Sequence, residues 1–343
     1  MNNPFSLTFG KEPVSMISRN LHHNEIITGF MSDNPEYQVC MITGVRGAGK
    51  TVAMTAIAHQ IATDRQWTVI NLNPERNLLD SMAANIKSMR LISNYLEKTK
   101  ISLSAFGIGL TMNGQPAIGD SAIFLDKALK KLKEKKKKIL ITIDEVVVNQ
   151  NIKEFISQLQ IYIRENYPVF LIMTGLFENI FDLQNEKTMT FLYRAPKIEL
   201  PPLSLPLIAA KYADIFHLNE AEALEMARLT SGYPFAYQSL GYLCCKYQKS
   251  YKEIIPEYDS LLEEYVYEKI WSEMSEADKK VAGAISRASS SKVADIRQQI
   301  GIDSNKFNIY RKRLLKKGII QISSYGHIKF MLPRFSEFVQ RNL

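Results

Sequence analysis

The stretch Gly44-Val45-Arg46-Gly47-Ala48-Gly49-Lys50-Thr51 decides the fold. Glycines at its ends and inside it let the backbone bend until successive N–H groups converge on one point, at the positive end of the helix that follows. Such a nest suits an anion with several oxygens, a chain of phosphates. Lys50 would neutralise the β and γ phosphates, and Thr51 would offer its hydroxyl to a magnesium ion. The motif sits where this chemistry requires it. A strand-like run, Val39 to Thr43, precedes it, and a helical pattern with Ala53, Ile57 and Ile61 at intervals of four follows. The expected ligands are ATP and Mg2+, cradled by Gly44, Val45, Arg46, Gly47, Ala48, Gly49, Lys50 and Thr51.

Working outward, three further β-rich runs alternate with helical stretches: Thr68 to Leu72, Ile139 to Ile143 and Val169 to Met173. That order builds a parallel sheet flanked by helices, the α/β architecture of a P-loop NTPase. One helix is expected from about Asn77 to Lys98, and residues 101 to 119, with Gly107, Gly109, Gly114 and Gly119, read as a hairpin or loop insertion. The run Ile139-Leu140-Ile141-Thr142-Ile143 ends in Asp144-Glu145. Carboxylates at the carboxyl end of a strand face the ligand crevice of an open α/β sheet. Asp144 is therefore the expected magnesium residue, and Glu145 the group that orients or deprotonates an attacking water. Thr174, at the end of the next strand, is a candidate to reach the γ-phosphate or that water, with a turn-forming threonine as an equal reading. Arg194, in Phe191-Leu192-Tyr193-Arg194-Ala195-Pro196, is a candidate arginine finger for a neighbouring subunit, with a surface ion pair as the plainer reading.

Composition narrows the setting. A chain of 343 residues suits two or three domains, and 46% hydrophobic content fits ordinary globular packing. The longest apolar stretches fall far below the roughly 20 residues needed to span a bilayer, and the N-terminus lacks the pattern of a secretory signal, so a cytoplasmic protein without a membrane span is expected. Cys40, Cys244 and Cys245 show no metal-ligand spacing and read as reduced, buried fillers. The lysine run from Lys130 to Lys138 precedes a buried strand and reads as a solvated helix end. Net charge is +8, and Trp271 to Leu343 carry 14 Lys and Arg against 6 Asp and Glu. All of the excess lies there, which points to a polyanion meeting the C-terminal end.

Prolines 201, 202 and 206 mark a joint, and helical patterns fill the chain from there to about Lys269. The expected domains are residues 1–203, an ATPase core; 204–268, an all-α lid; and 269–343, a winged helix-turn-helix. In the last, Ser275 with Asp278 starts a helix, Val293 to Ile300 forms a second and about Asn305 to Lys317 a third. A hairpin follows, with Ile319 to Ser323 and His327 to Met331 as its arms. Double-stranded DNA is the expected partner. Candidate contacts are Asn305, Lys306, Asn308, Arg311, Lys312 and Arg313 on the third helix, with His327 and Lys329 on the wing. Phe307, Tyr310 and Leu314 are assigned to the module's own core.

The P-loop, the Ile-Asp-Glu strand end, Thr174, Arg194 and the later Ser231-Gly232-Tyr233-Pro234-Phe235-Ala236-Tyr237-Gln238 together resemble the AAA+ and STAND-like ATPases. Within them, the resemblance is to the archaeal and bacterial ATPases related to origin-recognition initiators. It implies a lid whose Gly-x-Pro turn, here Pro234, lies near the nucleotide, and a winged helix after the lid. The lead-in Thr8-Phe9-Gly10-Lys11-Glu12-Pro13 is similar to the group's own, which continues into a Gly-Arg-Glu element touching the adenine. Here that element reads Ile17-Ser18-Arg19-Asn20, without the glycine or the glutamate. The lid also lacks the arginine that many AAA+ proteins carry at the head of the Gly232-Tyr233-Pro234 helix, which favours a switch over a fast motor. The function implied is a slow, regulated ATPase that couples nucleotide state to DNA binding, in replication or mobile-element maintenance, with homo-oligomers possible. The alternative is a STAND-like signalling or defence switch that binds protein partners and ignores DNA.

Overall fold

The computed structural model describes residues 3–8, 10, 12–98 and 121–343. Helix α1 (Asn20–Met31) leads into β1 (Val39–Thr43), whose five residues are all buried. The P-loop and α2 (Lys50–Ala62) follow, then β2 (Trp67–Leu72), α3 (Leu78–Ser88), α4 (Arg90–Lys98), α5 (Ser121–Glu134) and β3 (Lys138–Ile143). Helix α6 (Gln150–Arg164), β4 (Val169–Gly175), α7 (Phe177–Asn185), a 3-10 turn (Thr190–Arg194) and β5 (Lys197–Glu199) complete the core. All strand pairs in this sheet are parallel, in the order β2-β3-β4-β1-β5. Alternation along β1 explains why both sheet faces are covered. Val39 and Met41 face α3, α5 and α6 through Met82, Leu125 and Phe155, whereas Cys40 and Ile42 face α1 and α2 through Phe30 and Ile57.

Register then brings the chemistry together. Strand β4 lies between β3 and β1, pairing Met173 with Ile143 and Gly175 with Thr43. Gly44, Asp144 and Thr174 consequently emerge side by side at one edge of the sheet.

Before residue 217 the structure departs from the sequence expectations at three places. The single helix expected from Asn77 to Lys98 is broken at Met89, which is extended with φ −66° and ψ 126°. Strand β5, three residues long, had no periodic signal of its own. Helix α8 (Leu205–Phe216) begins inside the proline joint, because Pro206 occupies its first turn, where a missing N–H is harmless. The expected insertion at 101–119 lies outside the described residues.

The helical region continues with α9 (Glu220–Arg228), α10 (Pro234–Tyr247), α11 (Ile255–Leu262) and, through a π turn at Glu263–Tyr267, α12 (Glu268–Ser272). This unbroken run from 255 to 272 crosses the boundary expected at 268/269. The C-terminal module comprises α13 (Glu276–Arg287), α14 (Val293–Gln299), α15 (Ser304–Lys316), an antiparallel hairpin of β6 (Ile320–Ser324) and β7 (His327–Phe330), and α16 (Phe335–Arg341). Ser275 caps α13 by accepting from the Asp278 N–H, and Asp303 caps α15. Phe307 and Leu314 are buried in the module as expected, while Tyr310 is half-buried against them.

One apolar cluster joins Tyr212, Tyr237 and Tyr258 of the helical region, Val281, Phe307 and Phe335 of the C-terminal module, and Val45 and Ala48 of the P-loop. The N-terminal segment belongs to it too. Phe5 stacks on Phe216 with centroids 5.8 Å apart and meets Tyr237 edge-on, Asn3 Nδ2 donates to the Tyr242 carbonyl, and the Ser6 N–H donates to Gln238 Oε1. Tyr237 returns a bond from its hydroxyl to the Ser15 carbonyl at 2.8 Å. The segment is thus strapped along α10, over 200 residues away in sequence.

Cys40 and Cys244 are buried, Cys245 is half-buried, and all three are free thiols. Around the lysine run, Lys131 pairs with Glu134, Lys133 bonds the Glu165 carbonyl and Lys137 the Arg65 carbonyl. No helix among the described residues is long and apolar enough to cross a membrane.

Candidate functional site

The P-loop leaves β1 at Gly44 and turns through Gly47 and Gly49, both at positive φ, before α2 begins at Lys50. Gly47 is required by more than its dihedral. A Cβ there would sit 2.1 Å from the hydroxyl of Tyr233, which donates to the Arg46 carbonyl. The helical region therefore touches the P-loop backbone directly. Lys50 is only 8% exposed, and its Nζ donates to the carbonyls of Gly44 at 3.1 Å and Val45 at 2.9 Å. Burial pushes its ammonium down to about 8, a fall that the nearby Glu145 and Asp144 charges oppose.

At the sheet edge the Asp144 carboxylate collects both neighbouring hydroxyls. Thr51 Oγ1 donates to Oδ2 at 2.7 Å, and Thr174 Oγ1 donates to Oδ1. The Glu145 N–H points at the same two groups, 3.1 Å from Asp144 Oδ1 and 3.2 Å from Thr174 Oγ1. Glu145 itself has φ 51° and an exposed side chain that lines the cavity. A left-handed glutamate costs on the order of 1–3 kcal/mol, and here the strand register and the paired N–H hold it. The hard oxygens of Thr51 and Asp144, side by side at the start of α2, suit magnesium, which takes one or two protein oxygens and completes its shell with phosphate and water.

The P-loop, Thr51 and Glu145 border a cavity of about 640 Å³. Arg46, Gly47, Gly49, Lys50, Thr51 and Glu145 line it together with Pro234, Phe235 and Gln238 of α10 and Ser6, Leu7, Met16 and Ile17 of the N-terminal segment. Pro234 thus stands at the cavity. Arg19 lines it as well. Its guanidinium donates to the Ala48 carbonyl at 3.1 Å and the Pro201 carbonyl at 2.8 Å, and burial lowers its pKa to about 10. It has no carboxylate partner among the described residues, and Nε makes no bond. The sequence left Arg19 within an altered element; an arginine two residues past an apolar lead-in carries no periodic signal that would have singled it out.

Arg194 is exposed at the end of the 3-10 turn, with no ion pair among the described residues. On the C-terminal module, Asn305, Lys306, Lys312 and Lys329 are exposed, while Asn308 and Arg311 are half-buried. Arg313 is tied to the buried Asp278 at 3.3 Å and lies over the Tyr310 ring. His327 Nδ1 is 2.8 Å from Ser291 Oγ. The C-terminal end of α15 meets the core where Lys316 reaches Asp182 at 3.4 Å and covers the Phe181 ring, while Lys317 bonds the Glu273 carbonyl just past α12. At Gly318, φ 68°, a Cβ would fall 2.2 Å from Val45 of the P-loop.

Comparison with solved structures gives the same architecture over nearly the whole chain. The Walker-type ATPase PABY2304 of Pyrococcus abyssi superposes with a TM-score of 0.68 at 14% identity, covering 95% of this chain and 96% of that one. The ORC2 protein of Aeropyrum pernix, in ADPNP-ADP complexes, gives 0.62 at 13% identity over 97% and 96%. This chain has their fold. CDC6P from Pyrobaculum aerophilum gives 0.52 at 13% identity over 99% and 97%. Residues 264–339 match a family model described as a domain of unknown function (DUF8462). Compared with curated proteins, the sequence matches none. At such identities the likeness speaks for the P-loop NTPase fold.

Proposed function

We propose that this chain binds ATP with magnesium, hydrolyses it slowly, and couples nucleotide state to duplex DNA binding through a C-terminal winged helix. The observation that carries the coupling is the approach of the C-terminal module to the P-loop, with Gly318 against Val45, beside a second contact of Lys316 with Asp182 of α7. A loop that rearranges around phosphates and a helix that reads DNA then share one contact, so a change at either is felt by the other.

Within the site, Lys50 neutralises the terminal phosphates and the P-loop amides hold them. Thr51 and Asp144 hold the magnesium ion, which when bound offsets phosphate charge. Glu145 accepts a proton from the attacking water, and Thr174 fixes the direction of the Asp144 carboxylate. Pro234 and Arg19 close the cavity from the lid and the N-terminal side. Arg194, exposed and unpaired, suits contact with the phosphates of a neighbouring copy. PABY2304 is described as a Walker-type ATPase and ORC2 was solved in ADPNP-ADP complexes, which supports the same ligand class here.

The Lys50 environment yields a pH dependence with a definite sign. Free Lys50 loses its proton at about 8, below its ordinary 10.5, and bound phosphates favour the charged form. Above about pH 8 binding must therefore take up a proton, and ATP affinity falls as pH rises, by up to about tenfold per unit. Calorimetry at about pH 9 in two buffers of different ionisation enthalpy should register uptake approaching one proton per ATP; a buffer-independent heat would refute it.

DNA binding is tested on the full chain by titrating salt against a labelled duplex. Lys306→Ala and Lys312→Ala should each weaken binding and lower the logarithmic salt slope by about 1. ATP should shift the affinity by about fivefold or more. A second reading, a switch that binds protein partners, draws on the apolar exposure of Ile309 and Ile322, each 58%, and the fully exposed Tyr325 at the hairpin tip. It gains if duplex is ignored even at low salt while ATP still changes the oligomeric state.

A further inference from the structure

We infer that Gln238 reads the nucleobase, its side-chain N–H donating to a ring nitrogen of a purine held between the N-terminal strap and α10. This rests on the reading of the cavity as an ATP site. With the phosphates fixed at the P-loop, where a Cβ on Gly49 would lie 3.8 Å from Pro234, the base is left the rest of the cavity, whose lining includes Leu7, Met16 and Ile17, with Gln238, one turn on from Pro234 along α10, contributing a side-chain amide. Flat apolar walls suit a ring, and one convergent polar group fixes its orientation.

The orientation of that amide follows from its neighbours. The Ser6 backbone N–H can only donate, so the Gln238 atom 3.0 Å from it is the oxygen. Ser15 Oγ donates to the same oxygen at 3.3 Å. Both acceptor sites of Oε1 are thus used, and the NH2 group is left as a pure donor on the cavity wall. Nε2 bonds nothing among the described residues. Desolvated by a bound ring without an acceptor, it would cost free energy; adenine offers N1, N3 and N7 as acceptors. The same carboxamide also secures the strap, so the contact that reads the base belongs to the group that positions its wall.

The test compares ATP with three analogues in which N1, N3 or N7 of the base is replaced by C–H, using the full chain. One analogue should bind about tenfold more weakly than ATP. Gln238→Glu keeps the acceptor for Ser6 and Ser15 but replaces the donor. It should leave thermal stability unchanged, weaken ATP about tenfold and abolish the discrimination against that analogue. Equal affinity of wild type for all three analogues, or unchanged discrimination in Gln238→Glu, overturns the assignment while leaving the ATP reading intact. A wild type that takes up no ATP overturns both.

Discussion

Lys50→Met should weaken ATP binding by about 100-fold or more, measured by calorimetry or nucleotide fluorescence. The ammonium is the one cation that the P-loop buries, at 8% exposure, and it is held over the loop by the Gly44 and Val45 carbonyls. Methionine fills similar volume without charge or donor, so phosphate oxygens would enter a cradle with amides alone. The two carbonyls also lose their donor. A small fall in thermal stability should therefore accompany the loss of binding, since buried acceptors left unpaired cost free energy. Binding of ATP within a few-fold of wild type would remove Lys50 from the site.

Glu145→Gln should behave in the opposite way, retaining ATP within about threefold while turnover falls by about 10²- to 10⁴-fold. The backbone geometry at 145 is set by its own N–H, which points to Asp144 and Thr174, and neither bond involves the carboxylate. Glutamine therefore keeps the left-handed turn and removes only the base. Steady-state phosphate release against equilibrium binding separates the two quantities. Comparable turnover in the variant and wild type would assign water activation elsewhere. Comparable loss of binding would instead make Glu145 part of the cradle.

The sheet was legible because burial on both faces writes itself as uninterrupted β-rich runs. Val39–Thr43 was read to the residue, and the other three long strands begin within one residue of the expected start. The P-loop and Asp144-Glu145 were legible for a related reason: each joins a strand to its chemistry within a few consecutive residues. Thr174 followed from the same logic and proves to bond Asp144. What escaped was assembled from distant segments. Phe5 and Ser6 against α10, Arg19 beside Ala48, Tyr233 over Arg46 and Gly318 over Val45 leave no spacing to detect, because each partner looks locally like any other apolar or polar residue. The three-residue β5 and the break at Met89 escaped for want of length. Charge was misleading in one respect: the basic excess after Trp271 is partly spent inside the molecule, with Arg334 on Asp259, Arg341 on Glu263 and Lys316 on Asp182.

The strap along α10 has a mechanical consequence. A lid joined to its core by one stretch of chain, such as 200–204, can pivot about a point in any direction. Here the N-terminal segment supplies a second link, with Ser6 bonded to Gln238 of α10 and Arg19 bonded to the Ala48 carbonyl. The helical region is therefore held to the core by this strap as well as by Tyr233 on the Arg46 carbonyl, so the wall that α10 gives the cavity is fixed from more than one side.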